Sequence, residues 1–141
     1  MFRFQLVSLT GKKFDQDVYE VIIPTMDGQI GVLANHMPLV SVITTGMIIV
    51  RHHPNENDLL RDYFATSGGL ILVENNSLKA LVDEADKPED INEAETREAL
   101  RRAEKLKEEA KDQISLEKAQ SLIDRHDVRL KVASLKRHSR K

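Results

Sequence analysis

Up to about residue 87 the apolar positions come in short runs at period two; beyond it they come at helical spacing. "FRFQLVS" (2–8) alternates, and "DVYEVIIP" (17–24) sets Val18, Glu20 and Ile22 on one side and Tyr19, Val21 and Ile23 on the other. "GMIIVR", "DYFATSG", "GLILVE" and "SLKALVD" are further short runs of β-branched, aromatic or other apolar residues. Turn chemistry separates them, at Asp27-Gly28, "HHPNEND" and Asn75-Asn76. The asparagine pair tolerates positive φ and suits a two-residue hairpin. Many short strands at this spacing predict an antiparallel β-sandwich or barrel.

After Pro88 the pattern changes. Asn92-x-x-Glu95 reads as an N-terminal helix box, and Ala99, Ala103, Leu106 and Ala110 follow on one face. "KDQIS" interrupts, with Ser115 as a second cap. Leu116, Ala119, Ile123, His126, Leu130 and Ala133 mark the face of a second helix. Two helices of about 30 Å joined by a short break predict an antiparallel hairpin. The fold class is therefore α+β, with a β-sandwich over 1–87 and a helical hairpin over 88–141. The first helix offers mostly alanine to the seam, and a buried methyl-sized group contributes only about 0.8 kcal/mol. Such a hairpin depends on docking to something. From physics alone, a permanently docked hairpin and a movable one both fit.

Composition supports the division. Residues 1–87 carry 7 Lys+Arg and 11 Asp+Glu, and 88–141 carry 14 and 12. All six glycines lie in the first part. The net charge of −2 makes no general case for nucleic-acid binding. The absence of cysteine excludes disulfides, thiolate metal sites and cysteine nucleophiles, and fits a cytosolic compartment. No apolar run reaches the roughly 18–20 residues of a membrane span, and "MFRFQLVSLTGKK" lacks the pattern of a signal peptide.

The candidate chemistry is thin. "IPTMDGQIGVLANHMPLVSVI" (23–43) has the glycines of a phosphate loop, but Gly28-x-x-Gly31 is short and lacks Lys-Ser/Thr. His36 has no Ser, Cys or carboxylate fixed beside it, so a catalytic role is not expected. His52-His53 point apart in extended chain, which disfavours a metal site. Gly68-Gly69 opening a strand reads as a bulge or a tight backbone approach. His126 reads as a packed seam residue rather than a ligand. Lys136, Arg137, Arg140 and Lys141 either complement a helix C-terminus or form an arm that seeks an acidic surface. No catalytic residue, metal or cofactor is expected.

Taken together, "VIIPTMDGQIGVLANHMPLVSVITTGMIIV", "SGGLILVENNSLKALVDEA" and "RHDVRLKVA" resemble, in order and over nearly the whole chain, the epsilon subunit of F-type ATP synthases. The resemblance implies a ten-stranded β-sandwich followed by a two-helix hairpin, and a non-catalytic subunit of the central rotor. The sandwich would bind the gamma subunit and the ring of membrane subunits. The hairpin would switch between a folded-down state and an extended state that enters the alpha/beta catalytic head and blocks ATP hydrolysis. The protein would be peripheral on the cytoplasmic face of a bacterial plasma membrane.

Residue by residue, the resemblance assigns Asp27, Gly28, Gln29, Ile30 and Gly31 to the loop that meets the ring, with His36 and Met37 beside it. The family often has Glu where Gln29 stands; Gln keeps the reach without the charge. Arg125, Arg129, Lys136, Arg137 and Arg140 would form the inhibitory arm. Some bacterial members bind regulatory ATP through an Ile-Asp-x-x-Arg-Ala motif and arginines on both helices. Here Ile91, Arg102, Arg125 and Arg129 match, but Asn92, Glu95 and Thr96 replace Asp, Arg and Ala. A carboxylate at Glu95 would repel a triphosphate, so weak or absent ATP binding is expected. Two other readings stay open beside the rotor subunit: a stand-alone sandwich that binds another partner, and an ATP sensor.

Overall fold

A computed structural model describes residues 1–135. Nine strands form, where the resemblance implies ten: β1 (Phe2–Ser8), β2 (Gly11–Val18), β3 (Glu20–Thr25), β4 (Gly28–Leu33), β5 (Leu39–Ile43), β6 (Gly46–Arg51), β7 (Asp62–Thr66), β8 (Gly69–Glu74) and β9 (Ser77–Val82). Two helices follow, α1 (Glu93–Glu109) and α2 (Gln113–Ser134). The basic tail residues Lys136, Arg137 and Arg140 lie outside the described residues.

The strands make one curled sheet in the order β2-β1-β9-β8-β5-β3-β6-β7, with β4 paired to β3. Only the β1–β9 pairing is parallel. The sheet is nearly divided between β5 and β3, which share the single register pair Thr25–Ile43. That corner closes it into two facing layers. β3 pairs β6 from Glu20 to Ile22 and β5 only at Thr25, so it leaves one layer for the other around Pro24. A proline is tolerated there because a crossing strand needs no ladder N–H. Between the layers lies one apolar core, with Phe4, Leu6, Ile23, Ile48, Phe64, Ile71 and Leu78 essentially inaccessible. Phe14 joins the layers, its ring 5.5 Å from that of Phe4 and 6.0 Å from that of Phe64.

The alternation expected across 17–24 breaks at Tyr19. Val18, Val21 and Ile23 all point inward, because β2 ends at Val18 and β3 begins at Glu20. The Asn75-Asn76 hairpin forms as expected, with φ of 50° and 56°.

In the helices, the Asn92 side chain caps α1 by accepting from Glu95 N–H at 3.0 Å. The α2 cap is Asp112 rather than Ser115: Asp112 Oδ1 accepts from Ser115 N–H at 2.7 Å, which holds the Asp112 carboxyl below its usual range. The seam buries Thr96, Ala103 and Ala119, whereas Leu106 and Leu116 are exposed. The far end of α2 has a second apolar row, to which Ala133 belongs and of which the seam reading missed Val128 and Val132. Val132 and Ala133 pack with Ile91 and Ala65, and Val128, Met47 and Tyr63 flank them. This cluster docks the hairpin onto β6 and β7.

Candidate functional site

Three surfaces carry the residues of interest. The first is the β3–β4 hairpin. Its turn is held by Thr25 Oγ1, which donates to Gly28 C=O at 2.6 Å and accepts from Asp27 N–H at 3.2 Å. Gly28 adopts φ +108°, a conformation that disfavours side chains. Asp27, Gly28, Gln29 and Gly31 are exposed and Ile30 is half-buried. Only Met26 and Asp27 form the turn; Gly28 to Gly31 belong to β4.

His36 and Met37 are not beside that turn. They follow the other end of β4, about 17 Å away at 3.4 Å per residue. Their loop is tied to the β8–β9 hairpin, since Asn35 N–H donates to Asn76 Oδ1 at 2.8 Å and Asn35 takes φ +61°. His36 Nδ1 lies 2.7 Å from its neighbour's carbonyl, Met37 O, and Met37 is 73% exposed. A β-strand therefore separates two groups that are close in sequence.

The second surface was not singled out from the sequence. On the outer face of β5, β8 and β9, Val42 stands opposite Leu70, and Leu70 opposite Leu81. Val40 stands opposite Leu72, and Leu72 opposite Lys79. Val40, Val42, Leu70, Leu72 and Leu81 are all exposed, Val40 at 70%. Val40, Leu70, Leu72 and Leu81 line a shallow depression of about 200 Å³ with Lys79 at its margin. Contiguous exposed apolar faces recur at protein interaction sites. The signal was the unbroken run "GLILV": a strand with one face in the core needs polar residues on the other, and this one has leucines.

The third is a cleft of about 440 Å³ lined by α1, α2 and the segment after β9. Arg102, Arg125 and Arg129 line it, as the sequence reading grouped them. Ile91 does not; it is buried in the α2 docking cluster. Two carboxylates that the reading passed over face the arginines. Arg125 donates through Nε and Nη2 to the two oxygens of Glu84, each at 2.7 Å. Arg129 Nη1 donates to Asp86. Planar guanidinium and carboxylate match in this two-point contact. Glu84 and Asp86 thus latch α2 to the end of the sandwich, and Glu95 adds a third carboxylate to the cleft. The acids match the three arginines in number, leaving no excess positive charge.

His52 is engaged by two carboxylates. Its Nε2 lies 2.8 Å from Asp62 Oδ2, and Glu56 accepts from its backbone N–H. Among the described residues no cluster of three His, Asp or Glu is placed to hold a metal ion. No helix among them is long and apolar enough to cross a membrane.

Comparison with known proteins agrees with this architecture. Residues 1–88 match the family "ATP synthase, Delta/Epsilon chain, beta-sandwich domain". The chain is 34% identical over 118 residues to the chloroplastic ATP synthase epsilon chain of Pelargonium hortorum, covering 84% of this chain and 85% of that one. It is 33% identical over 129 residues to the ATP synthase epsilon chain of Halalkalibacterium halodurans, covering 91% and 93%. In fold it is similar to a chain of the Euglena gracilis mitochondrial ATP synthase (OSCP/F1/c-ring), with a TM-score of 0.77 at 22% identity over 93% of this chain and 79% of that one. A sandwich with one bare apolar face, a helical hairpin latched to its end and these sequence matches lead to one assignment: the chain belongs to the ATP synthase delta/epsilon family, as an epsilon chain.

Proposed function

We propose that the chain is a central-stalk subunit of an ATP synthase, joining the gamma subunit to the membrane ring and coupling proton flow to ATP synthesis, with its helical hairpin as a movable brake on ATP hydrolysis. Epsilon chains are accessory subunits of that enzyme and not its catalysts. The observation that carries the stalk reading is the exposed apolar face of Val40, Val42, Leu70, Leu72 and Leu81, which offers a docking surface for gamma. The Asp27–Gly31 hairpin, with Gln29 at its exposed edge, is the proposed ring contact, and Met37 belongs to a separate contact at the other end of β4. Attachment to the ring would keep the subunit at the membrane's cytoplasmic face without crossing it.

The described conformation has the hairpin docked. Its attachment supports movement: a small apolar cluster and ion pairs from Arg125 and Arg129 to Glu84 and Asp86 hold α2 to the sandwich, and at 22 residues α2 is about 33 Å long. Swinging it out would carry Arg125, Arg129 and the basic tail to the alpha/beta head. Removing residues 88–141 leaves Ala85 in the main core and the Ala65–Asp86 bridge in place. The truncated subunit is therefore expected to assemble normally while the complex hydrolyses ATP faster than with the full chain. An unchanged hydrolysis rate would make the helices purely structural.

An ATP-sensing role is disfavoured by the cleft. A triphosphate would have to displace Glu84 and Asp86 from Arg125 and Arg129, with Glu95 adding repulsion. Titration calorimetry with MgATP is expected to show no binding tighter than about 1 mM, below roughly 4 kcal/mol of affinity. Low-micromolar binding would overturn this.

A further inference from the structure

The cleft also holds a histidine that the latch does not use. His126 follows Arg125 on α2, and its Nδ1 is shut off from water with no hydrogen-bond partner. The charged groups around it come from every packed element. Arg125 and Arg129 lie on α2, Arg102 and Glu95 on α1, and Glu84 and Asp86 on the segment after β9. The last two are already engaged by Arg125 and Arg129. A neutral imidazole fits this place: with its proton on Nε2, Nδ1 leaves only a lone pair unfilled. An imidazolium does not fit, because a buried Nδ1–H would have no acceptor and would lie among three guanidiniums. The His126 pKa is accordingly lowered, chiefly by burial and then by Arg125 and Arg129, with Arg102 adding and Glu84 opposing.

We propose that His126 is a proton-operated release for the hairpin, so that acidification shifts α2 from the docked to the undocked state. The proposal rests on the reading of the hairpin as movable. The sign follows from linkage. A histidine whose pKa is lower when docked than in water favours docking above its ordinary value of about 6.5. That contribution is lost as pH falls from there through the docked-state value.

The full-length chain has no cysteine, so Glu74→Cys on β8 and Lys118→Cys on α2, both exposed, accept a spin-label pair that reports their separation. The population at long distance is expected to rise at least about twofold, reversibly, between about pH 7.5 and about pH 5.5. His126→Gln and His126→Leu should each flatten that response. A flat profile for the histidine chain, or a response kept by both variants, overturns the proposal. Arg129→Ala at the higher pH separates the two ideas. Long distances there beside a flat pH profile refute only the histidine's role. No long distances under any condition refute the movable hairpin and the proposal with it.

Discussion

Gly69→Ala is expected to unfold the sandwich or bring it to the edge of unfolding. A Cβ at this position would lie 2.1 Å from the Leu81 carbonyl oxygen and 2.8 Å from Val82 Cα. Both obstacles are backbone of β9, so no side-chain rotation relieves them. β9 would have to move by more than an ångström, and it is the strand that connects β8 to β1. Loss of that join opens the core at Leu78 and Ala80, both inaccessible. Several kcal/mol is a large part of the roughly 5–15 kcal/mol that stabilises a domain of this size. Urea denaturation is the measurement. Gly31→Ala is the control, since its Cβ would meet only the end of the Glu20 side chain, at 3.0 Å. It should shift stability by no more than about 1 kcal/mol. Equal midpoints for the two variants would show that the β8–β9 approach is not a constraint.

The second large effect concerns docking. Val42→Glu together with Leu70→Glu should weaken binding to the gamma subunit by at least about 100-fold, as expected when two central apolar contacts are replaced by charges that lose their water. The fold should survive, because both side chains are about half exposed, although like charges directly opposite each other on β5 and β8 should cost about 1–2 kcal/mol of stability. Leu60→Glu is the matched control. Leu60 is 67% exposed between β6 and β7, strands that do not neighbour β5, β8 or β9, and its replacement should leave affinity unchanged. If the double variant binds gamma as the parent does, the apolar face is not the docking surface and the stalk reading loses its main support.

How far these features could be read in advance depended on the range of the interaction behind them. Asn75-Asn76 was legible because positive φ is a property of two residues and their side chains. Asn92 was legible as a cap for the same reason, its partner lying three residues away. Asp112 was missed because Ser115, equally able to cap, stands inside the same short break. The strand β5 lies within the stretch 23–43, which was weighed as a phosphate loop rather than for strands.

The site was legible in its residues and not in its arrangement. The resemblance grouped Arg102, Arg125 and Arg129, and all three line the same cleft, two of them placed on one helical face by i,i+4 spacing. Glu84 and Asp86 were not matched to them, since a salt bridge across more than forty residues leaves no local trace. Conversely, Asp27 and His36 are nine positions apart and were read as one edge. An extended strand holds them at opposite ends.

By itself the sequence determined the division into strands and helices, the turn at Asn75-Asn76, the cap at Asn92 and the family. These follow from periodicity, turn and cap chemistry and matching motifs, all of which are written locally. Only the tertiary structure decided that Val40, Val42, Leu70, Leu72 and Leu81 share one bare face, that Glu84 and Asp86 hold α2, and that Ile91 is packing rather than lining. Those outcomes depend on strand order and on how the hairpin lies against the sheet. Both are set by which apolar faces can be buried together, a choice made by the whole chain at once.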